Sequence, residues 1–362
     1  MRVLTVNPGS SSLKLSLLED DDTTVSRADL ATGPAEREGE VLAAALSRMP
    51  VPDAVGLRFV HGGSDYHGPV LIDDAVTKRL YELVDLAPLH QPLSLYGLEE
   101  IRRALPDVPA VACFDTAFHA ELPDAAATFP LPAEWRERFK LRRYGFHGLS
   151  HAYATRRTGQ MLEVDPARLR IVVCHLGAGA SLAAVAGGRS VDTTMGFTPI
   201  DGLVMATRPG SVDPGLLMWL LQHDVAIEEL SEALIHRSGL KALAGTGDMR
   251  EIERRAAGGD MAAQLAVEVY LHRLRGCIAA MTAALGGLDV LVFTGGVGEH
   301  DARVRRSVAE GLAYLGVDVD EEANESAHAD ADITAAGAAV RTLVVTSRED
   351  LEIAAGVRRV LA

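Results

Sequence analysis

The segment VLTVNPGSSSLKLSLL, residues 3–18, has a partner of the same plan in IVVCHLGAGASLAAVAGG, residues 171–188. Each consists of an apolar run, a polar residue, a turn of glycine and other small residues, a Ser-Leu pair and a second apolar run. Asn7 and His175 occupy equivalent places in the two copies. Two strand–turn–strand copies predict a fold with duplicated halves. A chance match between two Gly/Ser hairpins is the open alternative.

Around these copies, short apolar runs rich in β-branched residues alternate with longer stretches of helical periodicity. Val108–Phe114 and Val290–Phe293 are typical of the runs, and Met261–Leu285 and Glu349–Leu361 are typical of the helical stretches. Strands that alternate with long helices predict an α/β layered fold rather than a β-sandwich.

Length and charge narrow the class of protein. The 362 residues allow two domains with separate cores, at roughly 150 residues per domain. A net charge of −15 argues against nucleic acid and anionic membranes as partners. An anionic ligand would therefore need a local cluster of arginine, lysine or backbone N–H groups.

Cysteine spacing and hydropathy indicate a cytoplasmic protein. Cys113, Cys174 and Cys277 form no CxxC pair, and each is expected to be a buried thiol in a reducing compartment. The first apolar run is broken by Asn-Pro-Gly too early for a signal peptide. No run approaches the ~18 apolar residues that cross a bilayer.

A third glycine-rich stretch, VFTGGVGEH at residues 292–300, directly follows an apolar run and precedes a helical one. Backbone N–H groups of such a turn can approach phosphate oxygens closely. Three turns of this kind, each after an apolar strand, predict a polyphosphate ligand. The P-loop motif, a complete GxGxxG motif and the HRD and DFG motifs of protein kinases are all absent from the sequence.

Several charged residues stand where a ligand is expected. Arg58 and Arg208 lie in Gly-rich surroundings of low charge, and a guanidinium suits bidentate contact with a carboxylate or phosphate. Asp115 follows an apolar strand, at the end where open α/β sheets bind ligands. Glu349 and Asp350 begin the last helix, where they either stabilise its N-terminus or hold Mg²⁺.

Three histidines cluster in the motifs FDTAFH and YGFHGLSH. His147 and His151 have the i, i+4 spacing of a zinc site but lack the HExxH pattern, and His119 follows Asp115 by four residues. Taken singly, each histidine is predicted to be a structural hydrogen-bonding residue.

Taken together, the motifs resemble the acetate kinase family of short-chain acyl kinases, within the superfamily of acetate and sugar kinases, heat-shock chaperones and actin. The motifs that carry the resemblance, in chain order, are NPGSSSLK, VHGG, LAPLHQP, FDTAFH, YGFHGLSH, HLGAGAS, DTTMGFTPIDGLVMATRPGSVDP, FTGGVGEH and SREDLEIA. They span nearly the whole chain.

The resemblance implies an α/β fold of two actin-like, ribonuclease H-like domains with a duplicated core and a central cleft. The first domain would comprise residues 1–118 and 351–362 and carry the acyl and phosphate site together with the closing helix. The second would comprise residues 119–350, bind the nucleotide and form the dimer.

The activity implied by the resemblance is reversible, Mg²⁺-dependent, direct in-line phosphoryl transfer from ATP to acetate, giving ADP and acetyl phosphate. Mn²⁺ is an alternative metal, and a homodimer with no nucleic-acid or membrane partner is expected. Arg58 and Arg208 would grip acetate and the transferring phosphoryl group, and His147 would stabilise its charge. Asp115 would orient an arginine rather than act as a nucleophile.

The family's site residues carry over position by position onto this sequence. The residues implied to act in catalysis are Arg58, Asp115, His147 and Arg208. Those implied to bind the acyl group are Arg58, Val60, Leu89, Phe146 and Pro199. Those implied to contact the nucleotide and its phosphate path are Ser10, Ser12, Lys14, His175, Gly177, Gly179, Asp248, Met249, Arg250, Gly296, Val297 and Gly298. Those implied to place the metal are Asn7 and Glu349.

The sequence departs from the family pattern at a few positions near the phosphoryl donor. Ala178 and Arg348 stand where asparagine is usual, and Ala206 stands where glycine is usual. These departures leave open a pyrophosphate-dependent variant or a nucleotide-binding sensor with impaired catalysis. A propionate or butyrate kinase is a nearer alternative, although propionate-preferring relatives carry a smaller residue at the position of Val60. One methylene changes discrimination by only ~1–3 kcal/mol, so some use of propionate is expected.

Overall fold

The computed structural model describes residues 1–9, 12–31, 35–88 and 90–362, without the side chains of residues 31 and 35–40. The chain forms two compact units, of which the first comprises Met1–Ala120, Phe146–Tyr153 and Arg348–Ala362 and the second comprises Glu121–Gly145 and Ala154–Ser347. The domain boundaries expected at residues 118 and 350 stay predictions. The units differ from them mainly in that Phe146–Tyr153 belongs to the first unit.

The described part of the first unit contains one mixed sheet. Its strands are β1 (Val3–Pro8), β2 (Ser12–Leu18), β3 (Thr24–Ala31), β4 (Ala54–Phe59), β5 (Val70–Leu71) and β6 (Ala110–Phe114). Their order across the sheet is β3-β2-β1-β4-β6-β5. The three central strands β1, β4 and β6 are parallel, and the remaining strands pair antiparallel.

The described part of the second unit contains a sheet of the same plan. Its strands are β7 (Arg170–Leu176), β8 (Ala180–Ala186), β9 (Arg189–Thr193), β10 (Val290–Thr294), β11 (Ala331–Asp332) and β12 (Arg341–Val344). Their order, β9-β8-β7-β10-β12-β11, has the parallel and antiparallel pairs in the same places. This shared topology confirms the predicted duplication and excludes a chance match of two hairpins.

Helices flank the strands, as the alternating pattern predicts. Those before the second sheet are α1 (Ala35–Leu46), α2 (Asp74–Glu82), α3 (Gln91–Ala104), α4 (Asp124–Ala127), α5 (Ala133–Phe139) and α6 (Gly148–Leu162). Those after its first strands are α7 (Pro214–Gln222), α8 (Ile227–Glu232), α9 (Gly239–Ala244), α10 (Met249–Ala257), α11 (Met261–Leu285), α12 (Gly295–His300), α13 (Ala302–Gly311), α14 (Glu321–Ser326) and α15 (Glu349–Leu361). Among the described residues, no helix has both the length and the apolarity that crossing a bilayer requires.

The central strands of the first sheet are buried on both faces because helices cover each of them. Leu4 and Val6 of β1 face a core that includes α3, whereas Val3 faces Ile353 and its neighbours on α15. Gly56 of β4 lets α15 approach closely, since an added Cβ would lie 2.4 Å from the Ile353 side chain. Continuous apolar strands are what a parallel sheet covered on two sides requires.

The expectation that all three cysteines are buried is confirmed for two of them. Cys113 on β6 and Cys174 on β7 are fully buried. Cys277 on α11 is only half-buried, so the expectation of a buried thiol is wrong there.

Candidate active site

Three predicted site residues lie at one edge of the first sheet. Asn7 is near the end of β1, Arg58 is near the end of β4, and Asp115 directly follows β6. Parallel pairing in the register Val6–Leu57 brings the carboxyl ends of the three strands to the same edge. The expectation that Asp115 follows the carboxyl end of a parallel strand is therefore confirmed, and open α/β sheets bind their ligands at this edge.

Arg58 and Asp115 form a nearly buried, two-point ion pair. Arg58 Nε and Nη2 donate to the two Asp115 carboxylate oxygens at 2.9 and 2.6 Å, and the Asp115 side chain is 2% exposed. Burial raises the pKa of Asp115, and the charge of Arg58 counteracts this rise. Burial lowers the pKa of Arg58, but the carboxylates of Asp115 and Glu349 more than compensate and leave it above its ordinary value. With two guanidinium N–H groups on the carboxylate, we assign the ionised pair.

The other edge of the Arg58 guanidinium contacts the predicted metal residues. Arg58 Nη1 donates to Asn7 Oδ1 at 3.0 Å and lies 3.8 Å from Glu349 Oε2. Asn7 Nδ2 donates to the same Glu349 oxygen at 2.6 Å. Glu349 is also the first residue of α15, so both of its alternative roles, at the helix N-terminus and in the site, are compatible with this position.

Asp350 and Arg348, on either side of Glu349, pair with each other. Arg348 Nε and Nη2 donate to the Asp350 carboxylate at 2.9 and 3.0 Å, and Arg27 adds a weaker contact at 3.3 Å. Asp350 is thus held by arginines. The positive charge of Arg348, which departs from the family pattern, is neutralised beside the site.

His147 is fixed to Asp115 through the backbone. Its N–H donates to the Asp115 carboxylate, and the next N–H, of Gly148, donates to the Asp115 carbonyl at 2.8 Å. A Cβ at Gly148 would lie 2.1 Å from that carbonyl oxygen, so the close approach requires glycine. Because α6 begins at Gly148, His147 precedes the helix that carries His151, and the i, i+4 spacing does not place the two on one helix face.

Two predicted acyl-pocket residues belong to the first unit, are buried, and are close in sequence to residues of this cluster. Val60 directly follows β4 and is 6% exposed, and Phe146 precedes His147 and is 1% exposed. Leu89 lies outside the described residues. In the first hairpin, Ser10 also lies outside them. Ser12 is half-buried, and its backbone carbonyl accepts the Gly9 N–H at 2.8 Å, while Lys14 is exposed on β2.

Arg208 and Pro199 are brought together in the second unit. Arg208 Nη1 donates to the Pro199 carbonyl at 3.1 Å, and burial lowers the pKa of Arg208. The loop that carries Arg208 rests on Gly239, which has a φ of +63°. A Cβ there would lie 2.2 Å from the Met205 carbonyl oxygen and 2.6 Å from that of Arg208. Gly239 is a positioning residue that the sequence analysis missed.

The second hairpin adjoins the third glycine-rich stretch. His175 pairs with Ser181 across the hairpin, and the Gly177 N–H donates to the Gly179 carbonyl at 3.0 Å. A Cβ at Gly295 would lie 2.8 Å from the Leu176 carbonyl oxygen. The stretch VFTGGVGEH does not form a turn before a helix, because α12 begins at Gly295 itself. Of its predicted nucleotide contacts, Gly296 is exposed, Val297 is half-buried and Gly298 is buried.

The remaining predicted nucleotide residues begin α10. Asp248 caps the helix by accepting the Arg250 N–H, and the Arg250 guanidinium folds back onto its carboxylate at 3.0 and 2.7 Å. The Met249 side chain is buried, which leaves Asp248 and Arg250 as the accessible side chains of the three. The Ala206 methyl, another departure from the family, lies against this segment, 2.9 Å from the Cβ that Gly247 lacks.

Two further residues hold the glycine-rich stretch in place. Glu299 Oε1 accepts the N–H groups of Gly295 and Ser347 at 3.0 and 2.9 Å. Arg305 is 1% exposed and donates to the carbonyls of Gly298 and Glu299 at 3.0 and 2.8 Å. The sequence analysis missed both. A Glu within the FTGGVGEH motif was the available signal for the first, whereas no local pattern distinguishes Arg305 from its neighbouring arginines.

The oxygen donors of Asn7 and Glu349 fit a magnesium ion better than a softer metal. No group of three or more His, Cys, Asp or Glu side chains in the described part of the chain could hold a metal by itself. Mg²⁺ is usually bound by one or two carboxylates with water and substrate phosphates. A carboxylate and an amide side chain in contact, those of Glu349 and Asn7, match that pattern.

Known proteins that this chain resembles in sequence and structure include acetate and propionate kinases, in agreement with the geometry of the site. A sequence model of the acetokinase family matches residues 40–355. An acetate kinase of Nostoc punctiforme is 50% identical over 311 residues, which cover 85% of this chain and 76% of that protein. The crystal structure of Porphyromonas gingivalis acetate kinase matches with a TM-score of 0.91 at 33% identity and covers 100% of both chains. A propionate kinase from Francisella tularensis matches with a TM-score of 0.88 at 31% identity and covers 98% of both. These matches confirm the predicted two-domain α/β fold, and the chain belongs to the acetokinase family.

Proposed function

We propose that the protein catalyses reversible phosphoryl transfer from ATP to acetate, giving ADP and acetyl phosphate. The observation that carries the proposal is the Arg58–Asp115 pair at the strand ends, with Asn7, His147 and Glu349 joined to it by hydrogen bonds or charge. The identity to proteins named acetate kinase supports the choice of acetate.

The cluster suits a reaction that needs positioning and charge neutralisation more than covalent chemistry. In-line phosphoryl transfer spreads negative charge over the transferred group. Arg58 and Arg208 bind the carboxylate of acetate and the transferred phosphoryl group, and His147 donates a hydrogen bond to the phosphoryl group. Asp115 fixes Arg58 through two N–H groups, so little reorganisation is needed as charge develops. Asp115 is therefore a positioning group and not the nucleophile, and the carboxylate of acetate attacks directly.

Asn7 and Glu349 would hold Mg²⁺, with the remaining ligands from water and the ATP phosphates. When bound, the metal neutralises phosphate charge and orients the transferred group. The hydrogen bond from Asn7 to Glu349 orients both side chains. Mn²⁺ has similar ligand preferences and would substitute for it.

An assay of acyl phosphate formation tests the proposal. Purified protein with ATP, Mg²⁺ and acetate is expected to produce hydroxylamine-trappable acetyl phosphate, and chelation of the metal with EDTA is expected to stop it. Pyrophosphate is the parallel donor, and propionate and butyrate are the parallel acceptors. If the protein binds ATP by calorimetry but forms no product with any acid and any donor, the result would favour the nucleotide-binding sensor instead.

Propionate is the acceptor most able to compete with acetate. Val60 and Phe146 are both buried and apolar, so the acyl group would meet apolar side chains there. The match to a propionate kinase of the same fold supports some use of the longer acid. We expect acetate to be preferred by about 10- to 100-fold in kcat/KM, since one methylene is worth ~1–3 kcal/mol.

The protein is further proposed to act as a homodimer in the cytoplasm, where ATP is available. Support for the dimer comes from an exposed apolar face on α7 and the start of α8. Its exposed members are Leu216, Met218, Trp219, Leu221 and Ile227. Clustered exposed apolar side chains of this kind are typical of protein interfaces.

Replacement of Trp219 by aspartate is expected to convert the dimer to a monomer. Trp219 is 53% exposed and stacks on the exposed ring of His223, so the change costs little within the chain, whereas a charge would be costly in an apolar interface. Light scattering coupled to size-exclusion chromatography measures the mass. Tyr314→Asp, at an exposed aromatic of the 3₁₀ turn Ala313–Leu315 and not of α7 or α8, is the matched control and should leave the mass unchanged. A wild-type mass equal to one chain would contradict the proposal.

A further inference from the structure

The peptide group between Phe146 and His147 is held at both of its polar atoms. His119 Nε2 lies 3.1 Å from the Phe146 carbonyl oxygen, and the His147 N–H donates to the Asp115 carboxylate. His147 has a φ of +57°, a left-handed conformation that is uncommon for residues with a Cβ. The direction of the His147 side chain therefore depends on how firmly the preceding peptide is held.

His119 is built to be a fixed, neutral donor. It ends the 3₁₀ turn Ala117–His119 that follows Asp115, and it is 0% exposed. Burial lowers the pKa of His119 to about 4, so the imidazole is neutral at physiological pH. Because a carbonyl oxygen only accepts, the single ring proton must be on Nε2.

Neighbouring rings fix the plane of the His119 imidazole. Phe118 and His151 each lie edge-on to it, with ring centroids 5.5 Å away. The Phe146 ring is held separately, edge-on to His61 at 5.6 Å. The donor atom therefore has one direction available to it, toward the Phe146 carbonyl.

We propose that His119 is a positioning residue of the phosphoryl-transfer site, which holds the Phe146–His147 peptide so that the His147 side chain points at the transferring group. The inference rests on the proposed function. His119 itself touches no substrate, and its effect passes through one peptide group. Displacement of a catalytic group by a fraction of an ångström is enough to slow a reaction substantially.

Paired substitutions of His119 test the role of the Nε2 proton. His119→Phe keeps a buried ring but has no donor, and we expect kcat to fall by about 10- to 100-fold while the KM for ATP changes less than twofold. His119→Gln places an amide N–H near the position of Nε2, and we expect it to recover most of the loss. His119→Asn, whose amide is too short to reach the carbonyl, is the second variant without the bond and should resemble His119→Phe.

A double-mutant cycle separates positioning from general stability. If His119 acts through His147, His119→Phe should lower kcat by less than about twofold when His147 is already alanine. The same fold loss in both backgrounds would assign His119 a purely structural role and overturn the inference. Wild-type-like kcat in His119→Phe, or in His119→Asn if the first variant does not fold, would also overturn it. An inactive wild-type protein would instead contradict the proposed function.

Discussion

Arg208→Ala should lower turnover by on the order of 10³-fold or more while the protein stays folded. A guanidinium that neutralises the transferred phosphoryl group contributes this much in comparable reactions. Among the described residues, the Arg208 head group has a single hydrogen bond to oxygen, to the Pro199 carbonyl, so most of its donors remain for a ligand. We expect the free energy of unfolding to fall by only about 1–3 kcal/mol.

The readouts for this variant distinguish loss of chemistry from loss of binding. Acyl phosphate formation measures turnover, and calorimetry measures ATP affinity, which should stay within about threefold of the wild type because Arg208 is not among the residues predicted to contact the nucleotide. Arg189→Ala is the matched control, because Arg189 is an exposed arginine of the same unit, paired with Glu121. Turnover of Arg208→Ala within tenfold of the wild type would exclude Arg208 from the acyl site.

The sequence was sufficient to predict the edge of the first sheet where Asn7, Arg58 and Asp115 meet. Each follows or ends a buried apolar run, and parallel strands with crossover connections must bring such ends together. The duplicated plan was likewise visible, because the two hairpins share a pattern of small residues. A local sequence pattern was sufficient to place a site residue wherever that residue lies in or directly after a strand.

Strands at the ends of the antiparallel hairpins were harder to predict. β3 and β9 are polar on one side, and their sequences, TVSRADLA and RSVDT, lack the apolar runs of the central strands. They are strands because β2 and β8 present hydrogen-bonding edges to them. Sheet formation here comes from the partner strand rather than from a strong local preference.

Residues that act through long-range contacts gave no local signal. Phe146–Tyr153 joins the first unit although the chain on both sides of it belongs to the second. The hydrogen bond from His119 to the Phe146 carbonyl spans 27 residues, and the bonds of Arg305 depend on the fold of α12. A histidine or arginine in the sequence looks the same whether it is solvated or clamps a buried carbonyl, and only packing separates the two cases.

Arg58→Ala should both abolish turnover and destabilise the fold by about 3–5 kcal/mol. The substitution leaves the Asp115 carboxyl group, 2% exposed, without its cationic partner, and an unpaired buried charge is costly. Arg79→Ala, at ion pairs with Asp65 and Glu82 whose side chains are all more than a third exposed, is the matched control. Each of these surface pairs should contribute only about 0–1 kcal/mol. Thermal and denaturant unfolding measure both variants.

The pH dependence of Arg58→Ala identifies Asp115 as the source of the lost stability. Burial is the largest influence on the Asp115 carboxyl and raises its pKa, and removal of Arg58 removes the main opposing charge. A carboxyl whose pKa is raised in the folded state stabilises the protein below its unfolded pKa and loses that stabilisation as pH rises through the folded value. Arg58→Ala should therefore be more stable, relative to the wild type, at pH 5 than at pH 8. The double variant Arg58→Ala/Asp115→Asn should lose this difference, and its persistence would mean that another group, and not Asp115, is left uncompensated when Arg58 is removed.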